Sequence, residues 1–364
     1  MPISHACIKS LVLDELKTAL ATKGLKPYRA AQVFDWIYKH GATTFDEMTN
    51  LSKAERTLLA STYSLVSPRI LEQEASADGT EKYLLQLEDR QTIESVVIPD
   101  GKRLTLCIST QVGCKQGCRF CLTGRNGFRR NLAAYEIADQ VTVVEKNISE
   151  SGDGPAGEAR PDGRRHIANI VLMGMGEPLA NYDAVQRALT IITAPWGFGF
   201  SPRRVTLSTV GLVPEIRKLG RNGPRVNLAV SLNATTDRIR DGIMPVNKRH
   251  PLQELIAACK HYPLEPTRRI TFEYVLLGGV NDSEEDALRL STLLRGIPCK
   301  VNLIPFNPFP GSAFSRPEDG AVSAFQKVLR ARNFTALVRE SRGKDISAAC
   351  GQLRSRLASL QSAK

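Results

Sequence analysis

The 364-residue chain has no run of about 18 unbroken apolar residues, the length a membrane-spanning helix needs. Its first ten residues, MPISHACIKS, lack the basic start and apolar core of a secretory signal. These absences predict a soluble, cytoplasmic protein without a membrane partner. Acidic charge is the minority: 37 Asp and Glu stand against 49 Lys and Arg, leaving a net charge of +12. An enzyme of small molecules has no need of that excess, whereas RNA would draw on it for steering and phosphate contacts. No short-period repeat is visible. Nor does a second CxxC accompany Cys118 and Cys121, as a structural zinc site would usually require. Apolar residues make up 42% of the chain, enough for a sizeable core and too many for global disorder. In a reducing cytoplasm, eight cysteines point to metal binding or chemistry ahead of structural disulfides.

What is present divides into four parts. Residues 1–67 read as a helical accessory domain that could contact RNA. IKSLVLDELKTALATKG and KPYRAAQVFDWIYKHG have helical apolar spacing and stop at Gly24 and Gly41, and Ser52 with Glu55 forms a capping-box signal. Lys26, Arg29, Lys39 and His40 interleave with Tyr28, Trp36 and Tyr38, a pattern suited to nucleic acid. The plainer expectation puts Trp36 in the core and the lysines in solvent. Residues 68–112 form a β-rich connecting segment of short runs (RILEQEA, KYLLQLE, TIESVVIP, RLTLCIS) split at Asp78-Gly79 and Asp100-Gly101.

From 113 to 345 strands and helices alternate. IANIVLM, RRVTLSTVG, RVNLAVSLN, RITFEYVLLGG and CKVNLIPFN are strand-like; AAYEIADQVTVVEK, NYDAVQRALTIIT, VPEIRKLG, PLQELIAACKHY and SEEDALRLSTLLRG are helical. Repeated βα units predict an α/β fold with a parallel sheet, closed into a full or partial TIM-like (β/α) barrel; an open doubly wound sheet is the alternative. Ser149–Arg165 is Gly-, Pro- and charge-rich and reads as a surface insertion. Residues 346–364 form a C-terminal segment.

GCKQGCRFCLTG carries Cys114, Cys118 and Cys121 within eight residues. Structural zinc wants four ligands, and four-iron clusters are usually held by four thiolates. Three thiolates on such a cluster leave one iron free for an exogenous molecule. Zinc with Cys107 as fourth ligand remains the other reading.

That spacing resembles the radical S-adenosylmethionine (SAM) enzymes. The resemblance narrows with GCKQGCRFCLTGRNGFRRNL, VLMGMGEPLANYD, VTLSTVGLVPEI, AVSLNATTDRIRDGIMPVNK, FEYVLLGGVNDS, KVNLIPFNPFPGS and DISAACGQL, which together look like the adenine-C2 RNA methyltransferases; PYRAAQVFDWIYKHG and FDEMTNLSK look like that family's N-terminal domain. The resemblance implies a radical SAM-type partial barrel, one 4Fe-4S cluster on Cys114, Cys118 and Cys121, and SAM chelated to the open iron. It implies ribosomal RNA and tRNA as substrates, an electron donor such as flavodoxin or ferredoxin, and a monomer.

It also assigns roles. Gly176 and Glu177 in GMGEP would hold the amino group of SAM. Ser208, Ser231, Leu232, Asn233 and Asn307, at strand ends, would contact its ribose, carboxylate and adenine; many relatives carry His at the place of Asn233, which leaves a backbone contact there. C2 of adenine is electron-poor and cannot attack a sulfonium methyl, so a thiolate must take the methyl first. By resemblance Cys350 is that acceptor. A second SAM yields an adenosyl radical that takes hydrogen from the S-methyl group, and the methylene radical adds to C2. Cys107 is the resolving thiol, leaving a disulfide to be reduced, and Glu94 is the base. Cys7, Cys259 and Cys299 read as small buried hydrophobes. Arg125, Arg129, Arg130, Arg203, Arg204, Lys248 and Arg249 could face RNA, and Phe128 could stack a base or pack beside the cluster. Enzymes that methylate C8 of the same adenine are near rivals; a non-catalytic, metal-stabilised RNA-binding protein is the rival of another class.

Overall fold

The computed structural model of the chain describes residues 6–101, 103–151 and 166–353. An N-terminal module comprises β1 (Ala6–Cys7), α1 (Leu13–Ala21), α2 (Arg29–Tyr38), α3 (Lys53–Thr62) and β2 (Tyr63–Ser64), with β1 and β2 paired in parallel. The expected capping box opens α3: Ser52 Oγ accepts from Glu55 N at 3.3 Å, and Glu55 Oε2 from Ser52 N at 2.7 Å. Trp36 is not in the core. It is half-buried, and its Nε1 donates to Asn50 Oδ1 at 2.8 Å. Its neighbours Phe34 and Tyr38 turn inward instead, meeting Trp196 and Phe198 at centroid distances of 5.2 and 5.1 Å.

The chain continues as β3 (Arg69–Ala75), β4 (Glu81–Gln86), β5 (Thr92–Asp100) and β6 (Arg103–Cys107), an antiparallel meander. A small antiparallel pair, β7 (Gln111–Gly113) and β8 (Phe128–Asn131), brackets the short α4 (Leu122–Arg125). Then follow α5 (Ala134–Ser151), β9 (Ile167–Leu172), α6 (Tyr182–Thr193), β10 (Val205–Thr209), α7 (Val213–Asn222), β11 (Asn227–Ser231), α8 (Asp237–Ile243), α9 (Leu252–Lys260), β12 (Ile270–Leu276), α10 (Glu284–Leu293), β13 (Cys299–Pro305), α11 (Asp319–Ala331) and β14 (Ala336–Val338). Of the expected insertion, Ser149 to Ser151 close α5. Residues 152–165, like 354–364 of the C-terminal segment and 1–5, lie outside the described residues.

One sheet runs in the order β14-β13-β12-β11-β10-β9-β6-β5-β4-β3. From β6 through β14 every pair in it is parallel, and each new strand is laid beside the last. Right-handed crossovers without a reversal of order keep the helices on one side, and the twisted sheet curls into a partial barrel; a doubly wound sheet would need a switch point. The strands are covered on both faces, so Leu228, Ala229 and Val230 are consecutive and all buried. The segment 68–112 is continuous with this sheet: β6 is its first parallel strand, and β3 to β5 extend it. The strand and helix runs read from sequence omit β1, β2, β7, β8, β14, α4, α8 and α11. Six of these have four residues or fewer and α8 has seven, too short for a period to show. α11, with Val322, Phe325 and Leu329 buried, carries a legible helical stripe.

Lys9 pins the N-terminal module to the barrel. Its Nζ donates to Asp139 Oδ2 on α5 and to Ser67 Oγ, both at 2.7 Å, and both side chains of the Lys9–Asp139 pair are 1% exposed. Breaking a buried ion pair strands the remaining charge, so Lys9→Met is expected to destabilise the protein by about 3–5 kcal/mol. Denaturant unfolding checks this; a midpoint unchanged from wild type would show the pair to be dispensable.

Candidate functional site

The three-thiol loop is built on the β7–β8 hairpin. Gly113, at φ +76°, closes it: a Cβ there would lie 1.9 Å from Gly127 O, so any other residue would force the strands apart. Cys114 N donates to Gly127 O at 2.9 Å, Cys121 N to Cys118 O at 3.1 Å, and Arg119 N to Ile243 O at the end of α8 at 3.0 Å. The loop is thereby clamped over the C-terminal ends of the barrel strands, where such barrels hold their ligands.

A buried polar knot sets the floor beside it. Gln140 on α5 accepts from Ser95 Oγ and Ser109 N, both at 2.8 Å, and donates to Ser109 O at 2.9 Å. Ser109 Oγ in turn donates to Glu94 O at 2.6 Å and accepts from Met175 N at 2.8 Å. Gly176, at φ +102°, passes so close to Gln111 that a Cβ would meet Gln111 N at 2.8 Å.

Cys114, Cys118 and Cys121 face one cleft together with Gly176, Glu177, Ser208, Ser231, Asn233, Asn307 and Cys350; it offers about 1040 Å³ outside protein atoms, part of it open to solvent. Burial pushes the Cys114 thiol up to about 12 and Cys118 well above the usual range, and the neighbouring thiols add to both shifts. Glu177 is buried, and its oxygens accept from Leu179 N at 3.0 Å and Val210 N at 2.8 Å. Burial outweighs those bonds and raises its carboxyl to about 7. Asn233 is left-handed at φ +58°, which Asn tolerates. Its side chain is spent on structure, Oδ1 accepting from Val275 N at 2.8 Å and Nδ2 contacting Met244 Sδ at 3.2 Å. Leu232 does not line the cleft: its side chain is fully buried in the core, its N donates to Glu273 O at 2.9 Å and its O accepts from Arg240.

Cys350 reaches the cleft on a strap, residues 343–353, tied at three places. At the β3–β4 turn, Asp78 Oδ2 accepts from Gly343 N at 3.0 Å, and Asp345 accepts from Ser76 Oγ at 2.5 Å and Ala77 N at 3.2 Å. At the thiol loop, Leu122 N donates to Gly351 O at 2.6 Å and Thr123 Oγ1 to Leu353 O at 2.7 Å. At the end of β13, Gln352 Nε2 donates to Asn307 O at 3.3 Å. Cys350 presents its surface to the cleft while protein surrounds it, and burial followed by the charge of Glu273 raises its thiol to about 12.

Cys107 ends β6, buried and outside the cleft lining, yet near enough to Cys350 for a charge there to raise its own pKa further after burial. Both are free thiols, as are the other six cysteines. Glu94 does not line the cleft either. It shares a sheet face with Cys107, since Val96, two residues on, stands opposite Cys107. Its carboxylate lies 3.7 Å from the buried ammonium of Lys82, which also donates to Ile346 O in the strap.

Sequence reasoning missed Lys82, Glu273 and Arg240; a signal was available at Glu273, a charge inside the otherwise apolar strand ITFEYVL, whereas Lys82 follows Glu81 and Arg240 stands among the charges of DRIRDGI. Among the basic groups named from sequence, Arg203 and Arg204 precede β10 and so lie at the opposite end of the barrel from the cleft. Arg130 is committed to Asp89 and Glu136 at 2.7 Å each. Arg125 donates to Gly311 O at 2.7 Å, and Lys115 covers Phe128 at 4.4 Å. Cys259 and Cys299 are buried as expected, while Cys7 is half-buried.

A partial barrel with three closely spaced thiols over its C-terminal mouth defines a protein of the radical SAM superfamily, whose profile matches residues 108–291. The profile of the ribosomal RNA large subunit methyltransferase N-terminal domain matches residues 8–65. The dual-specificity RNA methyltransferase RlmN of Desulfosudis oleivorans is 52% identical over 95% of this chain and 90% of its own length, and that of Geobacter sulfurreducens 51% over 97% and 93%. The crystal structure of a radical SAM methyltransferase from Sphaerobacter thermophilus aligns over 96% of this chain and 99% of its own, with a TM-score of 0.87 and 46% identity. The chain belongs to the RlmN family of RNA methyltransferases. Membership implies a 4Fe-4S cluster and SAM, and the donor set fits them: soft thiols on one clamped loop face a cleft large enough for a nucleoside-bearing ligand. Among the described residues, no three His, Cys, Asp or Glu side chains close on a single point as ligands of one ion do, and no helix is long and apolar enough to cross a membrane.

The strap yields a test. Burial would raise the Asp78 carboxyl, but hydrogen bonds from Thr80, Gly343 and Ser76 hold it down to about 2. Its stabilisation is therefore full above the unfolded carboxyl value near about 4 and fades as pH falls toward 2. Asp78→Ala is expected to loosen residues 343–353 by about 1 kcal/mol at neutral pH, seen as faster amide exchange there and not in the β9–β13 core. Unaltered exchange in the strap would show that the clasp does not hold it.

Proposed function

We propose that this protein methylates C2 of a specific adenine in large-subunit (23S) ribosomal RNA and in tRNA, with Cys350 carrying the methyl group. The observation that carries the reading is Cys350 on a tethered strap, facing the same cleft as Cys114, Cys118 and Cys121, with Cys107 within reach of its charge. The RlmN relatives, named for dual-specificity RNA methylation, support it over nearly the full chain.

In this reading Cys114, Cys118 and Cys121 hold the cluster. Gly176, Glu177, Ser208, Ser231, Asn233 and Asn307 surround SAM, and the backbone at Leu232 closes the floor. The cluster, when bound, supplies the electron that splits SAM into methionine and an adenosyl radical. The Cys350 thiolate first attacks the methyl carbon of one SAM; the sulfonium–methyl bond breaks, giving an S-methyl sulfur and releasing S-adenosylhomocysteine. After hydrogen is removed from that S-methyl group, its carbon bonds to C2 and Cys350 is joined to RNA. Glu94 accepts the C2 proton, and the unpaired electron left on the base would return to the cluster oxidised in cleaving SAM, leaving a closed-shell thioether. Cys107 then attacks Sγ of Cys350; the bond from sulfur to the transferred carbon breaks, its electrons pass to the base, which takes up a proton, and a disulfide remains. A cytoplasmic thiol reductant resets the pair, and an electron donor of the flavodoxin or ferredoxin class serves a monomeric enzyme. The target adenine must leave its stack to reach the cleft.

The deciding experiment is mass spectrometry of nucleosides from RNA incubated with reconstituted enzyme, SAM and a reductant. 2-Methyladenosine is expected; 8-methyladenosine, or unmodified RNA bound to a zinc protein, would replace this reading by one of its rivals. Cys107→Ala is expected to leave RNA joined to the protein through Cys350, visible as a slow-migrating species that ribonuclease removes. Free product at the wild-type rate would remove Cys107 from the scheme. Cys350→Ala should retain SAM binding and lose methylation entirely.

A further inference from the structure

Among the described residues Arg240 is the bulkiest fully buried side chain, 0% exposed, and no role in the reaction above uses it. It lies on α8, whose last carbonyl, Ile243 O, accepts from Arg119 N in the thiol loop at 3.0 Å. Its guanidinium spends every bond on a neutral acceptor. Nη2 donates to Val210 O at 2.7 Å and Ser231 O at 3.3 Å, Nε to Leu232 O at 3.0 Å, and Nη1 to Asn247 Oδ1 at 2.9 Å. Asp237 and Asp241 reach it only through Asn247, whose Nδ2 donates to them at 2.9 and 2.8 Å. Among the described residues no carboxylate stands at ion-pair distance from Arg240.

A buried cation without a direct counter-ion is costly unless a negative group answers it from nearby. Burial pushes Arg240 down to about 10. Val210 and Ser231, whose carbonyls it holds, line the cleft that Cys118 faces. The cation thus sits directly behind the cleft wall, on the helix to which the thiol loop is tied.

We propose that Arg240 is the buried counter-charge of the thiolate-bound cluster, a positioning residue that makes the cluster easier to reduce while fixing the ends of β10 and β11 against SAM. This rests on the cluster reading. Reduction adds one electron, supplied by the donor, and so one negative charge to a group already anionic through three thiolates. A fixed positive charge in a poorly screened interior stabilises the more negative state and raises the reduction potential, one of the levers by which proteins tune such clusters.

The test is potentiometry on reconstituted protein, followed by electron paramagnetic resonance, with iron and sulfide counted first. Arg240→Gln is expected to shift the midpoint to more negative potential, and Arg240→Lys to stay nearer wild type. An Arg240→Gln protein with full cluster content and the wild-type midpoint would overturn the proposal. Should that variant fold poorly, Asp241→Asn gives a second reading of opposite sign: removing an anion that partly neutralises Arg240 through Asn247 should shift the midpoint positive, and no shift, or a negative one, counts equally against it. Wild-type protein that takes up no iron and sulfide would sink the cluster reading itself, before any variant is measured.

Discussion

The mouth of this barrel depends on one close approach, that of Gly113 to the carbonyl of Gly127. With no side chain at 113, β7 and β8 can register, and Cys114 N can donate to that same carbonyl. The hairpin turns the following loop back across the strand ends and leaves all three thiols facing inward. Were the loop free, each thiol would stay in solvent near its ordinary pKa, and a cluster would have to order the segment as it bound. Here the ordering is done by the fold.

That preorganisation has an electrostatic consequence. Burial pushes Cys114 to about 12 and Cys118 well up, which favours the protonated thiols, and a metal must displace those protons on binding. Three thiolates brought together in a poorly screened place repel one another. Arg240 answers that repulsion from behind the cleft wall, and the helix that carries it also receives the loop backbone at Ile243. Charge and geometry are supplied by the same element.

The strap adds a second requirement. The exchange proposed for Cys350, first with a ligand and then with Cys107, calls for a segment that can yield and still return to one place. Residues 343–353 meet both needs through a few backbone bonds to the β3–β4 turn, the thiol loop and the end of β13, with little apolar burial beyond Ala348, Ala349 and Leu353. Contacts of that kind open at low cost compared with a packed core. Lys82 reaches across the same junction, with Glu94 on one side and Ile346 O on the other.

Spacing within the sequence determined what is local. Three thiols within one turn-rich loop, apolar runs alternating between strand and helix periods, and small or polar residues at strand ends all act over a few residues, and a linear reading reaches them. It reached Ser208, Ser231 and Asn307 because they fall at strand ends; Cys350 was marked by the family resemblance of DISAACGQL, not by spacing. Tertiary structure alone decided which of these meet. Leu232 and Asn233 are adjacent in sequence, yet alternation of the backbone sends Leu232 into the core while Asn233 reaches the cleft wall with its side chain spent on Val275 N. Arg203 and Arg204 fall at the far end of the barrel because strand direction, not charge, fixes which end they occupy. Arg240 and Lys82 look like ordinary solvated charges until the fold buries them, since desolvation and through-space charge depend on distances that no linear spacing encodes.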